Sequence, residues 1–159
     1  MREMQRTGAL DRRHLILACP TGSGGIDQVG IEAFEYLTGG DCATVVLRYS
    51  IWPSALALLL GQTGRSQYAQ LHRRLVALLA DRPIPDRQVL LYGESLGALV
   101  SQNGLDRGEV TLARPRANGA TLRFDAAVWV GTPRASRWLR TRRGVDDAEI
   151  LHLDGSDPD

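Results

Sequence analysis

Lysine is absent from this chain: all 19 basic residues among its 159 are arginine. That removes Schiff-base chemistry, a serine–lysine dyad and a Walker-type phosphate loop, each of which needs a lysine amine. An excess of either charge is missing as well. Eighteen acidic residues leave a formal net charge of +1, so nothing argues for bulk nucleic-acid binding. Cysteine is scarce. Cys19 and Cys42 lack metal-ligand spacing and flank apolar runs, which predicts buried thiols. Long hydrophobic stretches are missing too: the most apolar run, Ala55 to Leu60, is far too short to span a bilayer. The polar start Met1-Arg2-Glu3-Met4-Gln5-Arg6 has no signal-peptide character, so the chain reads as cytoplasmic by default. Histidine is limited to His14, His72 and His152.

What is present centres on Val89-Leu90-Leu91-Tyr92-Gly93-Glu94-Ser95-Leu96-Gly97-Ala98-Leu99-Val100. A run of strand character enters Gly-x-Ser-x-Gly and leaves as a helix former, the order a nucleophile elbow requires. A serine on such a turn sits in a strained backbone, and a Cβ at Gly93 or Gly97 would collide with the turning chain. The following helix aims its first N–H groups at the serine, which makes the Leu96 N–H an oxyanion donor.

Taken in order, residues 1–13 are polar and read as a helical or frayed lead-in. His14 to Cys19, cut off by Pro20, reads as a buried parallel strand. A helix is predicted to follow, with Ile26, Val29, Ala33, Phe34 and Leu37 on its inner face and Gly39-Gly40 ending it. Ala43 to Tyr49 is a second buried strand. Residues 65–80 have the period of an amphipathic helix, with Tyr68, Leu71, Leu75, Leu78 and Leu79 inward, and Pro83 and Pro85 break it. Gln88 to Tyr92 enters the elbow, and the helix leaving it runs to about Gly104. Residues 105–124 read as a polar excursion of low structural content. Asp125 to Gly131 is a fourth strand, with Asp125 a capping or turn residue, and Glu149 to Leu153 a fifth. Strands interleaved with helices predict one α/β domain over residues 1–159, a doubly wound, mostly parallel sheet.

Pro20-Thr21-Gly22-Ser23-Gly24-Gly25 occupies the position of the loop that supplies a second oxyanion donor, from Thr21 or Gly22. A dinucleotide fingerprint competes for it, but Asp27 stands where a small residue belongs and would repel a pyrophosphate. A merely structural glycine turn is the third reading. For the acid of a triad, Asp157 lies just past the last strand, with Asp154 the alternative and a solvated terminal carboxylate the plain structural reading. The general base has no obvious source. His14 opens a strand far ahead of the serine, His72 adjoins Arg73 on a solvated helix face, and His152 lies inside a strand between two leucines. Arg134, Arg137, Arg140, Arg142 and Arg143 form either a solvated face or a surface for anionic groups. Ile51 to Leu60, with Trp52, reads as a core helix or an apolar acyl pocket.

Together these stretches resemble the α/β-hydrolase superfamily, and more narrowly the catalytic domain of a membrane-anchored actinobacterial family within it. The resemblance is carried by Thr7-Gly8-Ala9-Leu10-Asp11-Arg12, Pro20-Thr21-Gly22-Ser23-Gly24, Glu35-Tyr36-Leu37-Thr38-Gly39-Gly40-Asp41 and Tyr49-Ser50-Ile51-Trp52-Pro53-Ser54. Tyr92-Gly93-Glu94-Ser95-Leu96-Gly97, Trp129-Val130-Gly131-Thr132-Pro133 and Ser156-Asp157-Pro158 continue it. It implies Ser95 as nucleophile and Asp157 as acid, with a membrane-embedded region ahead of this domain and the histidine behind it. The expectation is a serine hydrolase of the esterase or lipase kind, acting on a small-molecule or lipid ester without metal or organic cofactor. Its membrane proximity would come through a longer parent protein, of which this chain looks like the middle. The alternative is a hydrolase-fold remnant or binding module that lacks the base.

Overall fold

A four-stranded, all-parallel sheet, its strands in the spatial order 42–46, 14–19, 88–94 and 126–130, forms the centre of the computed structural model. The structure describes residues 2–46, 70–71, 74–75, 77–79, 81–107, 110–113, 122–134, 136–138 and 145–146. β1 is His14–Cys19, β2 Cys42–Val46, β3 Gln88–Glu94 and β6 Ala126–Val130. Between β3 and β6 come β4, Val110–Ala113, and β5, Leu122–Phe124. β4 pairs in parallel with β5 on one side and with β7, Val145–Asp146, on the other, in a second, three-stranded sheet. Within residues 105–124, read from sequence as a polar excursion of low structural content, Val110–Ala113 and Leu122–Phe124 are therefore strands. Val110-Thr111-Leu112 and Leu122-Arg123-Phe124 are short β-formers, and a sequence scan weighs them too lightly between arginines and glycines. The fifth central strand expected at Glu149 to Leu153, and the apolar stretch Ile51 to Leu60, lie outside the described residues.

β1 and β3 run as the apolar centre because both of their faces are covered. Leu15, Leu17 and Cys19 of β1 join Val89 and Leu91 of β3 on one face. There they pack with Val100 and Leu105 of helix α3 (Leu96–Asp106), and with Leu75, Phe124 and Trp138. Each fully buried leucine of that set contributes about 1.5–3 kcal/mol relative to an exposed one. Ile16, Ala18 and Tyr92 alternate onto the other face, under helix α2 (Gln28–Leu37). The sheet is thus wound on both sides, as expected.

The inner face of α2 differs from the expected one. Ile31 and Phe34 pack on the sheet with Ile26, whereas Val29 and Leu37 are 69% and 82% exposed. The reason is Gly30. The Tyr92 hydroxyl lies 2.5 Å from where a Gly30 Cβ would stand, so the tyrosine fits only against the bare backbone. That contact rotates the helix until residues 30, 31 and 34 meet the sheet, and the Phe34 ring meets Tyr92 edge-on at 5.7 Å.

The N-terminal residues are fixed rather than frayed. Helix α1 (Arg2–Arg6) and the 3-10 turn Ala9–Asp11 bury Met4, Ala9 and Leu10 in the main core. Arg87, at the foot of β3, clamps this segment. Its guanidinium donates to the Leu10 carbonyl and, at 3.0 Å, to that of Arg82. Cys19 is buried as predicted and Cys42 is partly so. Among the described residues no helix is long and apolar enough to cross a membrane.

Candidate active site

In a doubly wound sheet the ligand crevice opens at the carboxyl ends of the strands, where successive connections diverge to opposite faces. Here that point lies between β1 and β3. The connection from β1 carries α2 over one face, and the connection from β3 carries α3 over the other. Both Ser95 and the Pro20–Gly25 loop are therefore delivered to the same place.

Ser95 stands between the end of β3 and the start of α3 with φ 50° and ψ −115°. A positive φ at a non-glycine residue costs on the order of 1–3 kcal/mol and must be held by its surroundings. The holding contacts are visible. The Ser95 N–H donates to the Val130 carbonyl at 2.9 Å, and its own carbonyl accepts from the Leu99 N–H at 3.2 Å. The side chain is exposed. No hydrogen bond among the described residues uses its hydroxyl or the Leu96 N–H.

The two flanking glycines are required by close approach. A Cβ at Gly93 would stand 2.9 Å from the Ala98 Cα and from the Trp129 ring. At Gly97 it would overlap the carbonyl oxygens of Cys19 and Pro20 and lie 2.5 Å from the Cys19 carbonyl carbon. The first turn of α3 thus rests directly on the end of β1 and the start of its loop.

That loop is internally bonded. The Thr21 N–H donates to the Gly25 carbonyl at 2.9 Å, and the Gly24 N–H to the Thr21 carbonyl at 2.9 Å. The Thr21 hydroxyl adds a 3.0 Å bond to the same Gly25 carbonyl. Thr21 is therefore committed within the turn, while no bond among the described residues uses the N–H of buried Gly22.

Beyond the loop, Asp27 caps α2: its carboxylate accepts from the Gly30 N–H at 3.1 Å. The Asp27 N–H in turn donates to the Glu94 carboxylate at 2.9 Å. Burial, reinforced by the nearby Glu94 and Asp27 carboxylates, pushes the Tyr92 phenol above its ordinary value, so it stays a neutral hydroxyl beneath α2.

Behind the elbow lies a polar network that the sequence does not announce. The Trp129 indole N–H donates to the Ser101 hydroxyl at 3.0 Å, which donates to the Ala98 carbonyl at 3.0 Å. Fully buried Gln102 accepts from the Ser136 hydroxyl at 2.6 Å and donates to the Thr132 hydroxyl at 3.3 Å. These bonds tie the segment after β6 to α3, with the Trp129 and Trp138 rings 4.6 Å apart between centroids and their planes inclined at 53°. Gln102→Ala leaves the Ser136 hydroxyl without its acceptor and opens a void. It is expected to lower unfolding stability by about 2–4 kcal/mol, read as a lower urea midpoint with an unchanged slope.

A comparison with family models matches residues 1–150 of this chain to an alpha/beta-hydrolase family. The chain belongs to that family. No curated protein and no solved structure matches it.

The alpha/beta-hydrolase match makes the placing of the remaining predicted residues informative. His14 pairs with Gln88 at the foot of the sheet, and its Nδ1 lies 2.9 Å from the Asp41 carbonyl oxygen. Ser95 follows the opposite end of β3, about 20 Å away at the rise of an extended strand. His14 is thus a strand-end residue of the hydrolase fold, out of reach of the serine. His14→Ala is expected to cost about 1 kcal/mol of stability and to leave the reactivity of Ser95 within twofold. A large loss of reactivity in a folded sample would contradict this placement. Asp157, Asp154, His72 and His152 lie outside the described residues, as do Arg140, Arg142 and Arg143. Arg134 and Arg137 are exposed, and Arg137 lies 3.7 Å from the Asp106 carboxylate. Asp125 is structural, as expected: its carboxylate accepts from the Val89 N–H at 2.7 Å and joins β6 to β3.

Proposed function

We propose that the chain is a serine ester hydrolase of the esterase or lipase kind, with Ser95 as nucleophile. The observation that carries this reading is the backbone of Ser95. A strained, exposed serine at the sheet's switch point has no structural reason to be a serine, because glycine would hold φ 50° at lower cost. In the proposed reaction the Ser95 Oγ attacks the ester carbonyl carbon and its proton passes to a general base. The Leu96 N–H and the Gly22 N–H hold the oxyanion. Gly22 is preferred over Thr21, whose N–H already serves the turn. Collapse expels the alcohol, protonated by the same base, and water then releases the acid from the acyl-serine. Asp157 would orient the base, a histidine other than His14. The substrate class is a small-molecule or lipid ester.

A second reading, a hydrolase-fold binding module without a working base, is favoured by the position of His14 at the far end of the sheet. A fluorophosphonate probe separates the two. The hydrolase reading expects labelling at Ser95 in the full-length protein and none in Ser95→Ala. A folded wild-type sample that stays unlabelled would favour the binding module.

A further inference from the structure

The N-terminus of α2 is capped in two halves, and only one half comes from α2 itself. In a capping box the N-cap side chain accepts from the N–H three residues on, and the side chain of that third residue accepts from the N-cap N–H. Asp27 makes the first half with the Gly30 N–H. Gly30 cannot make the second: it has no side chain, and the Tyr92 hydroxyl fills the space where its Cβ would be. The missing acceptor comes instead from Glu94, 67 residues along the chain, whose Oε2 takes the Asp27 N–H at 2.9 Å. Glu94 is the residue immediately before Ser95. Tyr92, which excludes a side chain at position 30, lies two residues before Glu94 on the same strand face. One strand therefore both removes the local cap and replaces it.

We propose that Glu94 is a positioning residue that locks the Pro20–Ile26 loop to the elbow through the cap of α2. Two contacts anchor the loop near its ends. At its start, the Pro20 carbonyl abuts Gly97. At its finish, the Asp27 N–H is held by Glu94. Between these points its own bonds, Thr21 to Gly25 and Gly24 to Thr21, close a single turn that both anchors hold in shape. Releasing the Asp27 end loosens that turn as a whole, so its internal bonds open more often and the Gly22 N–H shifts from Ser95. A neutral glutamine retains a carbonyl acceptor for the Asp27 N–H, so the bond and not the charge is what matters. Only the reactive consequence rests on the reading of Ser95 as a nucleophile. The coupling between Glu94 and the loop stands on geometry alone.

The test is amide hydrogen exchange, followed by NMR, on the wild type, Glu94→Ala and Glu94→Gln, with fluorophosphonate inactivation of Ser95 measured alongside. In the alanine variant exchange protection is expected to fall on the order of 10-fold at Asp27, with parallel losses at Thr21 and Gly24. The first-order inactivation step should slow by a similar factor with the probe's binding constant unchanged, because the reacting geometry loosens while the site stays open. Glutamine should restore both. Unchanged protection at Asp27, a loss confined to Asp27, or an unchanged inactivation step would each overturn the proposal. If the wild type takes no label, the hydrolase reading fails on its own. The exchange pattern then decides alone: loss across all three amides supports the coupling and loss at Asp27 only overturns it. Should the alanine variant not fold, Glu94→Asp withdraws the carboxylate by one methylene and gives the same readout.

Discussion

Gly97→Ala is expected to destabilise the chain severely. The added methyl would overlap the Cys19 and Pro20 carbonyl oxygens, and it would stand 2.5 Å from the Cys19 carbonyl carbon. All three are backbone atoms, so no rotamer change relieves the clash. Either α3 lifts from the sheet, exposing Val100 and Leu105, or the end of β1 leaves its pairing with β3. Both outcomes cost more than about 3 kcal/mol, a large share of a domain's total stability of roughly 5–15 kcal/mol. The melting temperature should drop by about 10 °C or more. Gly25→Ala is the matched control. A Cβ there meets only the Thr21 and Ser23 hydroxyls, at 3.7 and 3.9 Å, and its stability should stay within about 0.5 kcal/mol of wild type. Equal melting temperatures for the two variants would show that α3 does not rest on β1 as described.

Ser95 substitutions should pull stability and reactivity in opposite directions. Ser95→Ala removes the hydroxyl but keeps the Cβ, so the strain of φ 50° and ψ −115° remains. Ester hydrolysis and fluorophosphonate labelling should fall by a factor on the order of 10³ to 10⁶, with the melting temperature nearly unchanged. Ser95→Gly loses reactivity equally, yet glycine adopts positive φ without the Cβ penalty. It should gain on the order of 1 kcal/mol and melt a few degrees higher. That combination is the mark of strain kept for function. A glycine variant less stable than wild type would mean the elbow is not strained. Surviving hydrolysis would mean that the nucleophile is another residue.

Much of this arrangement is legible in the residue order. The apolar runs at His14–Cys19 and Gln88–Tyr92 read as strands buried on both faces, and the glycines two residues on either side of Ser95 are spaced for a tight turn. Other parts are illegible for definite reasons. The inner face of α2 follows from Tyr92 occupying the space beside Gly30, a contact 62 positions away that helical periodicity cannot contain. β4 and β5 are three or four residues long, and their pairing in a second sheet supplies what their composition does not. Thr21 and Gly22 are equivalent as donors on the page of a sequence. Only the bond from the Thr21 N–H to Gly25 separates them.

The sequence by itself determined the strand–turn–helix around Ser95, the α/β class and the exclusion of lysine chemistry, because local sterics and hydrophobic period act over a few residues at a time. Only the tertiary structure decided which backbone N–H groups at the elbow lack a partner among the described residues, which end of the sheet holds His14, and that Glu94 caps a helix distant in sequence. Those features depend on strand register and on which surfaces meet. Register is set by the packing of the whole sheet at once.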